Sequence, residues 1–207
     1  MRKVEMDVID KKRKECEQVM EEEGIEKRGM FFSFSLEEHN GATLRNLVHL
    51  IYSRCALLNK ATEGNFRVEE ELIQALKDDS WTYSKTNFLN MLFQFESLHG
   101  KSLFGLKMDK EKICFTGFGR TQDRERLTAQ GYLAVLMNEQ ALNQKRIQAK
   151  QVNDGDEKYA MRIWLNHIGM VGSEFKKTRA ILMKNFRGCV TEDGQRKSMQ
   201  KSVVANS

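Results

Sequence analysis

Apolar side chains recur along this chain at two different periods, and each period predicts a different kind of element. Over 31–36, Phe32, Phe34 and Leu36 alternate with Phe31, Ser33 and Ser35, the period-2 pattern of a half-buried strand. After the polar run Glu37-Glu38-His39-Asn40-Gly41, the positions Leu44, Leu47, Val48, Ile51, Cys55 and Leu58 repeat at three and four residues. That spacing predicts a helix over 42–61, broken by Gly64. A short strand over 65–68 and a short helix over 69–76 follow, the helix with Glu69, Glu70 and Glu71 at its electropositive end. Trp81 and Tyr83 are expected in a loop or edge segment. Phe88, Leu89, Leu92, Phe93 and Phe95 return to the helical period over 85–98, closed near Gly100.

Two short apolar runs, 103–108 and 113–118, flank Asp109-Lys110-Glu111-Lys112 and predict a hairpin with a longer loop. A long helix is expected over 123–151, with Ala129, Tyr132, Leu133, Leu136 and Met137 on one face. Strand, polar turn and long helix thus occur twice, at 31–61 and at 113–151, as a degenerate duplication or as two similar units of separate origin. Asp154 with Glu157 has the spacing of a capping box for a helix over 157–167, and Ser173 is placed to cap a last helix running to Phe186. The fold class these elements predict is α+β: a small antiparallel or mixed sheet covered by long amphipathic helices, with a C-terminal helical hairpin. The expected divisions are a charged helical leader (1–29), an α+β domain (30–151), a basic helical hairpin (152–188) and a flexible tail (189–207).

Composition narrows the function more than the fold. The 207 residues are 40% hydrophobic and 30% charged, with no proline, enough apolar material for one ordinary domain. No run approaches the roughly 18 apolar residues of a membrane span, and charges follow Met1-Arg2-Lys3 where a signal peptide needs an apolar core. Cys16, Cys55, Cys114 and Cys189 lie far apart with no C-x-x-C, so a reducing cytoplasm is the expected location. His39, His49, His99 and His167 are equally scattered, and neither a metal nor another cofactor is expected. Gly100-Lys101-Ser102 resembles the end of a phosphate-binding loop but has Phe95 where the loop needs glycine, and it follows a helix where it should precede one. No serine or cysteine sits in a nucleophile motif, and the carboxylates fall in solvated runs, so a non-catalytic protein is expected.

Charge supplies the candidate chemistry. The net charge is +5, from 34 Lys and Arg against 29 Asp and Glu. Between Lys145 and Arg187 ten basic residues face four acidic ones, a local excess larger than that of the whole chain. On a helical projection Lys176, Lys177, Arg179, Lys184 and Arg187 share one arc, while Phe175, Thr178, Ile181, Leu182 and Phe186 share another. A face of lysine and arginine suits phosphates better than base edges. The expected nucleic-acid-binding residues are therefore Lys145, Arg146, Lys150, Lys176, Lys177, Arg179, Lys184 and Arg187, while Trp164 and His167 are assigned to the core.

The same C-terminal stretch carries a resemblance. Glu157 to Leu165, Ile168 to Lys176, Thr178-Arg179 and Ile181 to Phe186 are similar to the C-terminal signature of "virulence-related" proteins carried by prophages, plasmids and conjugative elements of Gram-positive gut bacteria. Ile113 to Phe118 and Asn143-Gln144-Lys145-Arg146 are also similar, and Phe32 to Lys60 more loosely, so the likeness runs from about Met30 to Gly188. It departs at Asn166-His167 and at Arg187-Gly188-Cys189. The resemblance implies an accessory protein of a mobile genetic element and no catalytic residues. Its partner is then nucleic acid or a host nucleoprotein nuclease. The alternative is a protein inhibitor of a host defence system, anti-CRISPR-like, for which a DNA-mimicking acidic face built from Glu69, Glu70, Glu71, Asp78 and Asp79 is expected.

Overall fold

The computed structural model describes residues 31–151 and 156–188, and there the two periods become an α+β fold. The elements run β1 (Phe32–Ser35), α1 (Gly41–Thr62), β2 (Arg67–Val68), α2 (Glu70–Ala75), a 3-10 turn (Asp79–Thr82), α3 (Lys85–His99), β3 (Leu103–Phe104), β4 (Leu106–Met108), β5 (Lys112–Phe115), α4 (Arg124–Asn143), α5 (Glu157–His167) and α6 (Lys176–Leu182). The leader over 1–29, the tail over 189–207 and the expected cap Asp154 lie outside the described residues.

Helix α1 is the axis of the molecule. Asn40 and Thr43 form a capping box at its start, with the Thr43 N–H donating to Asn40 Oδ1 at 3.0 Å and the Asn40 N–H to Thr43 Oγ1 at 2.9 Å. Every residue from Thr43 to Ile51 is buried, so its first turns are enclosed on all sides. It stops where Glu63 turns left-handed at φ 52 and where Gly64 meets the backbone at Gly117, just past β5. A Cβ on Gly64 would lie 2.2 Å from the Gly117 carbonyl oxygen, so only glycine fits that approach.

The sheet has the order β1-β5-β4, antiparallel throughout, with Phe32 opposite Phe115 and Leu106 opposite Phe115 on the other side. Only part of the expected hairpin forms. Residues 106–108 pair with β5, whereas Leu103–Phe104 turns away at Gly105 (φ 81) and pairs with β2 in a second, two-stranded sheet. Phe32, Phe66 and Phe115 gather around Phe118, with ring centroids 5.1 to 6.2 Å from it, joining both sheets in one aromatic cluster. Helix α4 lies against α1, and its Gly131 sits on the Phe32 ring.

Four expectations are corrected. Trp81 is 4% exposed, not in a loose edge: the 3-10 turn drives its ring against Phe88 and Phe95. Helix α4 ends at Asn143 instead of Gln151, because Asn46 takes the Ile147 N–H. Helix α6 spans only Lys176–Leu182, with no side chain capping it, because Ser173 sits in the preceding turn and its hydroxyl donates to Glu174. The real cap of α5 is Asp156, whose Oδ1 accepts from the Tyr159 N–H at 3.0 Å. The buried residues of α5 and α6 belong to the same continuous core as those of α1 and α4. Among the described residues no helix is long and apolar enough to cross a membrane.

Candidate functional site

Two polar side chains on α1 decide where α4 ends and where the following basic segment lies. Asn46, 1% exposed, donates through Nδ2 to the Gln144 carbonyl at 2.6 Å and the Ala141 carbonyl at 3.3 Å. Its Oδ1 accepts from the Ile147 N–H at 3.0 Å. In a continuing helix that N–H would bond to the carbonyl of Asn143; the buried amide takes it instead, and Gln144 turns to extended geometry. One turn along α1, His49 Nδ1 donates to the Ile147 carbonyl at 2.9 Å. Ile147 is thereby anchored from both sides, and the residues around it fall on α1 as an irregular strap.

The strap closes one wall of a polar pocket of about 590 Å³. Arg54 of α1, Arg146 and Lys150 of the strap, and His167 at the end of α5 supply its nitrogen donors. Gln140, Gln144, Gln148 and Gln151 supply amides. Among the described residues that line it there is no carboxylate. The Gln144 amide donates to His167 Nε2 at 3.2 Å, and the Arg54 guanidinium lies 6.0 Å from the centroid of Trp164, on the edge of cation–π reach. Gln140 Oε1 is a buried acceptor with no partner among the described residues. Several cations beside amides have the chemistry to hold a phosphate and to offer neutral donors and acceptors to the group that carries it.

No family model, curated protein or solved structure matches this chain.

The structure divides the eight expected residues. Arg146 and Lys150 line the pocket, with exposed Lys145 beside them. Lys176, Lys177, Lys184 and Arg187 are exposed at α6, which packs on α4. Lys177 pairs with Glu125 in the first turn of α4, and Gln144 of the pocket lies 19 residues further along, roughly 28 Å at the helical rise. The α6 cations also stand among carboxylates. Lys184 lies close enough to Glu63 to help hold its carboxyl below the usual range, after the larger effects of hydrogen bonds from Arg126 and Asn185. Glu157 pairs with Lys60 in the same region.

Arg179 leaves the list altogether. It is 8% exposed, and its Nη1 and Nη2 donate to the carbonyls of Met170 at 2.8 Å and Gly172 at 2.9 Å. It staples the glycine turn between α5 and α6. Burial lowers its pKa, and Arg162 pushes the same way against Glu174. The signal was present in the spacing: Arg179 lies four residues after Phe175 and three before Leu182, at the end of the basic arc that borders the apolar stripe. Arg179→Met is expected to lower stability by about 2 kcal/mol, since two buried carbonyls lose their donors, while leaving the salt dependence of any nucleic-acid binding unchanged. Chemical denaturation and a binding titration on the same variant check both halves.

His167, expected in the core, is exposed at the pocket rim, whereas Trp164 is buried as assigned. Arg54 and the glutamines carried no sequence signal, because only the fold brings α1, α4, α5 and the strap to one place. Among the described residues no group of three or more His, Cys, Asp or Glu is arranged to hold a metal ion.

His49 makes the strap sensitive to acid. Its Nδ1 carries the proton donated to Ile147, and Nε2 is buried with no partner among the described residues. Burial lowers its pKa from the ordinary 6.5, and the charges of Arg45 and Arg146 add to that, against the raising effect of the Ile147 bond. The unfolded chain then binds a proton more readily than the native one, so stability falls as pH drops below about 6.5. His49→Asn, which can keep the donated bond but cannot titrate, is expected to flatten the melting temperature over that range. A thermal-melt series across pH measures the difference.

Proposed function

We propose that the protein binds nucleic acid, without chemistry of its own, and that the strap and its pocket are the contact site. The observation carrying this reading is the convergence of Arg54, Arg146, Lys150 and His167 on one polar pocket. Exposed Lys145 extends the cationic surface beside the pocket. Arginine and lysine held this way contact backbone phosphates, and the glutamine amides meet bases or sugars. The resemblance of 113–118, 143–146, 157–165 and 168–176 to proteins of mobile genetic elements is what supports reading it as an accessory protein of such an element.

The inhibitor reading asked for a concentrated acidic face. Glu70, Glu71, Asp78 and Asp79 are exposed, but Asp79 pairs with Arg45 and Glu69 with Arg67, and Asp78 Oδ1 accepts from the Ser80 N–H at the start of the 3-10 turn. That surface is a mixture of both signs. The test is a mobility shift of the full chain on duplex and single-stranded DNA over a series of salt concentrations. The proposal expects binding that weakens steeply as salt rises; a protein that shifts neither probe at low salt overturns it and leaves the inhibitor reading in front.

A further inference from the structure

A second surface, far from this chemistry in character, is an apolar cleft of about 480 Å³ between α3 and β4. One wall is Leu92, Phe93, Glu96 and Ser97, a single face of α3 over one and a half turns. The opposite wall is Leu106, Lys107 and Met108, the whole of β4. Successive strand side chains point to opposite faces, so a cleft touched by three consecutive strand residues runs along the strand's edge. The sheet order β1-β5-β4 makes β4 an edge strand. Phe93 is 75% exposed over this cleft, and Leu98, further along α3, is 81% exposed.

The charges around the cleft select an occupant. Glu96 is already engaged, its Oε1 accepting from the N–H groups of Ser102 at 3.0 Å and Leu103 at 3.1 Å. Lys101 and Lys107 are exposed on the rim. Two β4 edges paired antiparallel through Lys107 would set like charges opposite one another, which disfavours a second copy of this chain. The geometry points to the β4–α3 cleft as a docking site for an extended peptide of a partner protein, one whose apolar residues alternate with aspartate or glutamate. Such a segment adds a strand to β4, sets its apolar side chains against Phe93 and Leu92, and brings its carboxylates to Lys101 and Lys107. The three residues of β4 span about 10 Å, room for three or four residues of partner backbone.

The probe is a fluorescein-labelled seven-residue peptide of alternating glutamate and leucine, titrated with the full chain and read by anisotropy, beside a lysine and leucine counterpart. The acidic peptide is expected to bind at least about tenfold more tightly, and Lys101→Glu with Lys107→Glu to reverse that order. Phe93→Ser weakens both peptides, and methylation of alternate backbone amides on the acidic peptide abolishes its binding. All three substituted residues are exposed, so circular dichroism is expected to match the unsubstituted chain. Equal binding of the two peptides, no binding of either, or indifference to the lysine reversal overturns the proposal. So does sedimentation showing a dimer that Phe93→Ser dissociates, because the cleft would then be filled by a second copy.

Discussion

Arg146→Glu combined with Lys150→Glu is expected to weaken duplex DNA binding by roughly ten- to a hundredfold at low salt and to reduce the salt slope by about two units, near one for each lost phosphate contact. Both side chains are exposed and neither takes part in the bonds that Asn46 and His49 make to the strap, so the melting temperature should hardly move. The comparison variant is Lys176→Glu with Lys184→Glu, two cations that do not line the pocket. There Glu63 lies near Lys184 and Glu125 pairs with Lys177, and a smaller loss is expected. Fluorescence anisotropy across a salt series separates the two sites. If the α6 pair proves the costlier one and the strap pair is silent, the phosphate contact lies on α6 and the pocket is not the site.

Asn46→Ala on α1 is expected to be the single change most damaging to the strap. It removes three hydrogen bonds at once and leaves the Ile147 N–H and the carbonyls of Ala141 and Gln144 without partners in the core. The cost is about 3 kcal/mol, or roughly 6 to 12 °C in melting temperature for a domain of this size. Hydrogen exchange gives a sharper readout, since the Ile147 amide should lose protection before the rest of the molecule unfolds. Asn46→Asp is the informative companion. It keeps an acceptor for Ile147 but turns a carboxylate toward two carbonyl oxygens, so it should be as damaging as alanine. A stable, protected Asn46→Ala protein would show that the His49 bond and the packing of Ile147 suffice to hold the strap.

The elements themselves were legible where a single period governs a stretch. Phe32, Phe34 and Leu36 alternate because one face of β1 is buried against the helices, and Leu44 to Leu58 follow the helical period because α1 is packed along its length. The pattern failed where a side chain from elsewhere competes for backbone. Lys145 to Gln151 reads as more helix until Asn46, about a hundred residues away in sequence, takes the Ile147 N–H. Trp81 looked peripheral because its partners Phe88 and Phe95 lie on the next helix, and the turn that aims it at them is too short to show a period.

The candidate site followed the same division. Local charge density along the chain located the basic region, since Lys145, Arg146 and Lys150 sit together in sequence and remain together in space. Charge density alone did not separate a solvated arginine from a stapling one; the spacing did, since Arg179, unlike Arg187, borders the apolar stripe of Phe175 and Leu182 and meets the carbonyls of the turn at Gly169 and Gly172. By itself the sequence determined the α+β class, the places where the long helices begin and the surplus of positive charge near the C-terminus, all properties carried by neighbouring residues. Only the tertiary structure decided that Arg54 and His167 join Arg146 and Lys150 while the α6 cations stay apart, because which charges converge depends on how distant helices pack, and helix packing is set by contacts between residues that the chain order keeps far from one another.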